Sequence, residues 1–508
     1  MTDRQRRWMR LGLAALLGAA GGFGQAPYDF PLILLVALAG VVWLYHRCPT
    51  GWSALFLGWA FGTGYFIHVL QWLVSPFMVD PERHAWMAPF ALVALSVFMA
   101  LYWALAFGLA RWLSARTWPL ILAWPLAEMA RAYIFTGFAW GMPSQATVNV
   151  IAGQSLGVIG PYGLTMAMVA VAVVIATRNI GTLPRRAAQG VVLLGGIAAL
   201  SWPIHPPVVP DPGTDQPVVR LVQPNVAQRD KWKPDLIEIH FRRQTDFTAA
   251  PATEGMAAPS LVIWSETAIP WSLDLAQSAL DEIAAAGGDA TVMLGVQRRA
   301  EGRFYNSLAV LDRTGMVTQT YDKHHLVPYG EYMPLGDLMA RFGIYGLASG
   351  DGFGYSKGPG PKMLDLGPLG RALPLICYEA VFPHDVTAAP ERPRFLIQIT
   401  NDAWFGKGAG PKQHLAQARM RAIEQGLPLA RAANTGISAM IDPRGRITAS
   451  LALNQAGYVD AVLPLPRAPT LYSRTGDLPL ALILVAGLVA VALIGRRRIT
   501  IDPVKRAR

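Results

Sequence analysis

Eight apolar runs constrain this chain more than any other feature of it. They cover residues 11–24, 31–45, 52–75, 88–110, 117–134, 155–177 and 188–203, and one more stands alone at 478–495. A helix needs about 20 residues to cross ~30 Å of hydrocarbon, and most of these runs come close. Buried helices of a soluble protein would not occur in such a series with so few charges. Only 15% of the residues are charged, against about 25% in an ordinary soluble domain. The pattern predicts an α-helical membrane bundle of eight spans, seven before residue 204 and one after residue 477.

The first run follows Arg4, Arg6, Arg7 and Arg10 and resembles a signal peptide. GQAPYDFP is a poor cleavage site, however, and the next run begins almost at once, so an uncleaved helical hairpin is expected. Lys and Arg in the short loops set orientation. With a cytoplasmic N-terminus, sixteen basic residues fall on that side: the first four, Arg47, Arg111, Arg116, Arg178, Arg185, Arg186 and six in the tail after residue 495. The opposite short loops hold Arg83 and Arg131. Sixteen exceeds the net charge of +11, so no nucleic-acid partner is needed to explain the basicity. Both termini are expected in the cytoplasm, with residues between about 204 and 477 outside it.

The expected divisions are a seven-helix membrane domain at 1–204, a linker at 205–217, an extramembrane domain at 218–466, the eighth span at 478–495 and a basic tail at 496–508. The linker, rich in Pro and Asp, reads as an extended spacer. Cys48 and Cys377 are the only cysteines, and this topology puts them on opposite sides of the bilayer. No disulfide is expected between them. No Cys/His spacing suggests a metal, and no cofactor is expected. A lone thiol in an oxidising space favours a chemical role for Cys377 over a packing one.

Strand-like runs alternate with helix-like ones in the extramembrane stretch, the pattern of sheets covered by helices. The strands are expected at 218–224, 260–266, 291–297, 306–312, 372–378, 395–400, 436–442 and 457–465, and the helices at 272–286 and 412–426. DPRG at 442–445 suits a hairpin turn. Three strand ends carry chemistry. SLVIWSETAIP presents Glu266, YDKHHLVPYGEYMP presents Lys323 with Glu331 eight residues on, and LPLICYE presents Cys377. Delivered to one rim, these supply a general base, an oxyanion-stabilising cation and a thiol nucleophile. Taken singly, a solvated strand end, a surface cation and a small buried hydrophobe would explain them.

RAYIFTGFAW (131–140), VQPNVAQRDKW (222–232), WSETAIP (264–270), YDKHHLVPYGEYMPL (321–335), ICYE (376–379) and TNDAWFG (400–406) together resemble the apolipoprotein N-acyltransferase family, membrane-embedded members of the nitrilase (carbon–nitrogen hydrolase) superfamily. The resemblance implies an αββα sandwich outside the membrane. It assigns Glu266 as base, Lys323 as oxyanion stabiliser and Cys377 as nucleophile. It marks Glu331, Tyr378, Glu379, Trp232 and Trp140 as supporting residues. Ala139 departs from the family, which often has proline before that tryptophan. The implied reaction moves an acyl chain from a phospholipid, typically the sn-1 chain of phosphatidylethanolamine, through a cysteine thioester to the α-amine of a diacylglyceryl-cysteine on an apolipoprotein. The implied setting is the inner membrane of a Gram-negative-type bacterium, with the catalytic domain in the periplasm. The chain shows no oligomer signal and is expected to act as a monomer.

Phe342–Lys362, which mixes glycines with aromatic residues, is expected to be a lid that dips toward lipid. Three other functions fit parts of the chain. One is a membrane-anchored amidase using the same triad, for which eight spans are excessive. Another is a Cys–His hydrolase using His324, His325, His384 or His414. The last is a transporter or non-enzymatic scaffold built on the helices; the few ionisable residues within the spans, Glu128 among them, are thin for an ion path.

Overall fold

The computed structural model describes residues 2–178, 183–205, 216–334 and 354–501, the side chains of 183–185 and 495–501 excepted. Two compact units emerge: residues 1–205 with 471–508, and residues 206–470. Most of the expected linker, the segment 342–353 of the expected lid and the last seven residues of the tail lie outside the described residues.

The first unit is helical. Its longer helices are Asp3–Gly21, Pro31–His46, Gly51–Val69, Ala88–Leu113, Leu120–Tyr133, Leu156–Ala176, Leu183–Ser201 and Leu478–Ile501. Each occupies the place of one expected apolar run. By length and composition, Pro81–Leu113 and Ile151–Ala176 can each cross a membrane, and Gly51–Val69 with Gln71–Met78 makes a third if that 47° bend lies within one span. Pro31–His46, Arg186–Ser201 and Leu478–Ile494 are apolar but shorter. These apolar helices mark a membrane protein with, among the described residues, two to three candidate spans on those criteria.

Small residues let helices in this unit approach closely. A Cβ added to Gly18 would lie 1.9 Å from the Phe61 carbonyl oxygen, and one on Gly64 would lie 2.0 Å from that of Ala15. Glu128 is not a free carboxylate. It pairs with Arg131 at 2.6 Å and accepts from Trp103 Nε1, with both ionic side chains fully buried. Arg131 also donates to the carbonyls of Phe138 and Trp140, so the pair fastens the RAYIFTGFAW loop.

The second unit holds two six-stranded sheets. The strands in chain order are β1 Val218–Gln223, β2 Leu261–Ile263, β3 Thr291–Ala300, β4 Arg303–Leu311, β5 Val317–Asp322, β6 Leu364–Asp365, β7 Arg371–Ile376, β8 Phe395–Thr400, β9 Leu429–Ala433, β10 Ala439–Ile441, β11 Ile447–Ser450 and β12 Gly457–Val462. One sheet runs β12-β1-β2-β3-β4-β5 and the other β11-β10-β9-β8-β7-β6. Each has three parallel strands at its centre, β1-β2-β3 and β7-β8-β9. Such strands are buried on both faces and read as apolar runs, as LVI and FLIQIT do.

Helices Pro234–Ala249 and Gln277–Gly287 bury Phe241, Leu280 and Ile283 against the first sheet. Helix Ala409–Gln425 buries Leu415, Ala418 and Ala422 against the second. The two sheets are stitched where Asn225 N–H donates to the Asn434 carbonyl. The result is an α/β sandwich with helices outside each sheet.

All eight expected strands form. The structure also bears out the strand expected before Lys323 (β5) and the hairpin partner implied by DPRG (β11), and it adds β6, β9 and the helix Pro234–Ala249, which the sequence did not announce. β5 (VTQTYD) is largely polar, and β9 (LARAA) is alanine-rich with a buried arginine. The expected helix at 272–286 starts only at Gln277, after a short turn. DPRG joins antiparallel β10 and β11, with Gly445 at φ +74°.

Candidate active site

Parallel strands of both sheets end at the same place, and ligands of open α/β sheets gather at such carboxyl ends. Glu266 lies three residues past β2, Cys377 begins the turn after β7, and Asn401 and Asn434 directly follow β8 and β9. Lys323 follows β5, and Asn306 lies within β4.

Lys323 is the hub. Its side chain is 1% exposed, with Nζ 2.9 Å from the Glu331 carboxylate and 3.5 Å from Glu266 Oε1. Burial pulls its pKa down, but Glu331, then Glu266, then Cys377 outweigh that and hold it above the ordinary lysine value. Asn306 Nδ2 bridges the two carboxylates, donating to Glu266 Oε1 at 2.6 Å and to Glu331 Oε1 at 2.9 Å. The other Glu266 oxygen accepts the Asn401 N–H at 2.8 Å. Glu266 is thereby held by one donor from each sheet. Glu331 also accepts the Val327 N–H.

Cys377 is 5% exposed and takes φ +51°. A non-glycine residue in that region costs about 1–3 kcal/mol and persists only where its surroundings impose it. They do so here. Glu379, fully buried, turns back so that one oxygen accepts the Ile376 N–H at 2.7 Å. Its other oxygen accepts from the N–H groups of His324 and His325 and from the Tyr321 hydroxyl. On the far side, the Cys377 carbonyl accepts from Gln398 Nε2 at 3.1 Å and lies 3.0 Å from His414 Nε2. A sharp strand-to-helix turn of this kind presents a nucleophile at a sheet's end. Burial, then the Glu266 charge, push the thiol well above its ordinary range, opposed by Lys323 and a hydrogen bond with Thr400.

Under this turn lies a buried network that the strand-end reasoning missed. Asp402 pairs with Arg431 at 2.6 Å and meets His414 Nδ1 at 2.9 Å. Burial raises the Asp402 carboxyl, but Arg431 and His414 bring it down to about 2. Burial and Arg431 lower His414. TNDAWFG pointed to Thr400, Asn401 and Asp402 as a stretch, whereas nothing in NSLAVLD marked Asn306.

The structure brings Glu266, Lys323 and Glu331 into direct contact, and Lys323 and Glu266 are the leading charges acting on Cys377. Glu379 supports the turn. Tyr378 is buried, edge-on to Phe382 and His325. Trp232 is 42% exposed and lines a pocket with Lys231, His240, Phe241, Ser265 and Pro270. Lys231 Nζ donates to the Glu266 carbonyl at 3.2 Å and to Thr267 Oγ1 at 3.1 Å, bracing the turn that carries Glu266. Burial lowers its pKa to about 8, with Glu266 opposing. Trp140 belongs to the helical unit, where its ring packs on Trp72. Of the four histidines weighed for a Cys–His pair, His414 meets Cys377 at its carbonyl oxygen. His324, His325 and His384 gather instead around Asp385.

Residues 220–470 match the carbon-nitrogen hydrolase family, and residues 17–174 match the apolipoprotein N-acyltransferase N-terminal domain. The chain is 38% identical to an apolipoprotein N-acyltransferase of Rhodopseudomonas palustris, covering 96% of each chain. It is 38% identical to that of Bradyrhizobium diazoefficiens, covering 97% of this chain and 96% of the relative. A solved CN-hydrolase superfamily protein of Xanthomonas campestris aligns at 21% identity, over 53% of this chain and 97% of its own, with a TM-score of 0.36.

Proposed function

We propose a two-step acyl transfer through Cys377 for this chain, which belongs to the apolipoprotein N-acyltransferase family. Glu266 takes the Cys377 proton as sulfur attacks an ester carbonyl of a phospholipid, with the sn-1 ester of phosphatidylethanolamine as the expected donor. Lys323 and the N–H after the cysteine stabilise the oxyanion. Collapse expels the lysophospholipid alkoxide, which regains the proton from Glu266, and leaves a thioester. The α-amine of a diacylglyceryl-cysteine, with a pKa of about 8, is partly neutral and attacks that thioester. Glu266 receives the amine proton and returns it to the departing thiolate, and an amide is formed.

The observation that carries this reading is the buried Lys323 ammonium, fixed between Glu331 and Glu266 and acting on Cys377. A thiol raised by burial stays protonated at rest, so its proton must leave to a neighbour during attack, and Glu266 is that neighbour. The same groups would serve an amidase. The apolar helices of a membrane protein favour lipid substrates, because confinement to one surface raises their encounter; the proposal includes eight spans, both termini in the cytoplasm and residues 218–466 in the periplasm of an inner membrane.

The test is the intact mass of the purified full chain after mixing with phosphatidylethanolamine, beside Cys377→Ser. A fatty-acyl increment on wild type alone, removed by neutral hydroxylamine and discharged by a lipid-anchored amine but slowly by water, is the expected result. No increment on wild type sinks the reading, and rapid discharge by water alone favours the amidase.

A further inference from the structure

Behind the catalytic turn lies a second constellation that acyl transfer does not use. His384 and Asp385 open the short helix Pro383–Thr387, and His325 comes from the loop after β5. One ligand atom from each of His325, His384 and Asp385 lies within 4.8 Å of the others. Asp385 Oδ2 is 2.7 Å from His325 Nδ1, and Asp385 Oδ1 is 3.7 Å from His384 Nε2. Ligands about 2.1 Å from a tetrahedral zinc ion stand roughly 3.4 Å apart. The two distances run to different Asp385 oxygens and the first is a hydrogen bond, so an ion would replace the His325–Asp385 hydrogen bond as side-chain rotations bring three ligand atoms, now within 4.8 Å of one another, to that spacing.

The surroundings resemble those of a built site. The His325 ring stacks on Phe382 at 3.8 Å and 13°, which fixes its plane. Asp385 Oδ1 also faces His324 Nε2 at 3.5 Å, and His324 Nδ1 meets Glu379 at 2.6 Å. Groups that hold a ligand from behind orient it and add to metal affinity. The His384 side chain is 23% exposed, which leaves a path for entry and a solvent-facing fourth position.

We propose that His325, His384 and Asp385 bind a divalent transition-metal ion, with zinc the best fit. Two imidazoles and one carboxylate suit zinc, copper or nickel, whereas calcium and magnesium prefer oxygen donors alone. Through Asp385, His324 and Glu379, the ion is three side chains away from the turn that carries Cys377. The site stands apart from the acyl-transfer reading, and its failure would leave that reading intact.

The test titrates zinc into the full-length protein in detergent, stripped of metal and carrying no histidine tag, in competition with a chromophoric chelator. The parent is Cys377→Ser, so the thiol cannot act as a ligand. One equivalent should bind with micromolar or tighter affinity, and His384→Ala and Asp385→Asn should each weaken it by at least about tenfold. His240→Ala, at the other pocket, should leave it unchanged. Cobalt should give the visible band of tetrahedral coordination in the parent and lose it in His384→Ala. His384 is partly exposed, so that variant should keep the parent's melting profile. Absence of a saturable equivalent in the parent overturns the proposal, as does an affinity unchanged in both ligand variants.

Discussion

Asn306→Asp is the sharpest test of the charge arrangement. The substitution keeps size and shape but replaces the amide that donates to Glu266 at 2.6 Å and to Glu331 at 2.9 Å. Two like charges 2.6 Å apart repel by about 6 kcal/mol at an effective dielectric constant of about 20. At 1.36 kcal/mol per pH unit, that is about four units of extra proton affinity shared by the carboxyl cluster. Lys323, within 3.5 Å of Glu266 and 2.9 Å of Glu331, offsets part of it. A shift of at least about two units should remain. The cluster then keeps a proton to higher pH, and Glu266 is blocked over that range. The midpoint of the pH–rate profile for acyl loading of Cys377, followed by intact mass, should rise by at least about two units, so loading below the wild-type midpoint falls at least about 100-fold and recovers as pH rises. Asn306→Ala removes the donor without adding charge. It should slow loading through a loosened base while leaving the pH midpoint near that of wild type. An Asn306→Asp enzyme with an unmoved profile would refute the arrangement.

Glu331→Gln removes the nearer carboxylate from a buried ammonium. Breaking such a pair costs about 3–5 kcal/mol, so thermal unfolding should drop by several degrees and loading should fall with it. Arg431→Met should weaken acid resistance. Asp402, held at about 2 in the fold against 3.8 ordinarily, contributes about 2 kcal/mol that is complete above pH 4 and lost as pH falls toward 2, and acid titration should show the variant losing this contribution. Lys231 works in the opposite sense. Its pKa falls from 10.5 to about 8, so the unfolded chain binds the extra proton between those values and stability from this group rises by about 3 kcal/mol as pH climbs from 8 to 10.5. Lys231→Met should flatten that rise in denaturant melts.

Legibility followed burial pattern. Strand ends after LVI, LPLI and FLIQIT could be read because strands buried on both faces are apolar throughout, and Glu266, Cys377 and the TNDAWFG stretch stand at those ends. Asn306 was hidden because it sits in the polar first half of β4, beside Tyr305 and Ser307, where one more polar residue gives no signal. β9 was hidden because Arg431 interrupts it, and an arginine there makes sense only once Asp402 and Gln398 are seen beside it. The His325–Asp385 cluster joins residues 60 apart, which no local spacing could reveal. The apolar runs predicted eight spans; a helix stands at each, and among the described residues two to three are long and apolar enough to cross a membrane. Several are shorter than a bilayer requires, because composition reports lipid solubility better than it reports where a helix bends or stops.

Glu266 takes one hydrogen bond from β4 in the first sheet and another from the residue after β8 in the second. Glu266, the proposed base, is therefore a strain gauge for the sandwich. A slide of one sheet over the other by a few tenths of an ångström would cost little packing but would stretch one of these two short bonds. Activity should therefore fade before the fold does. On slow heating, the loading rate should decline at temperatures where circular dichroism still reports an intact structure, and substitutions between the sheets should widen that gap.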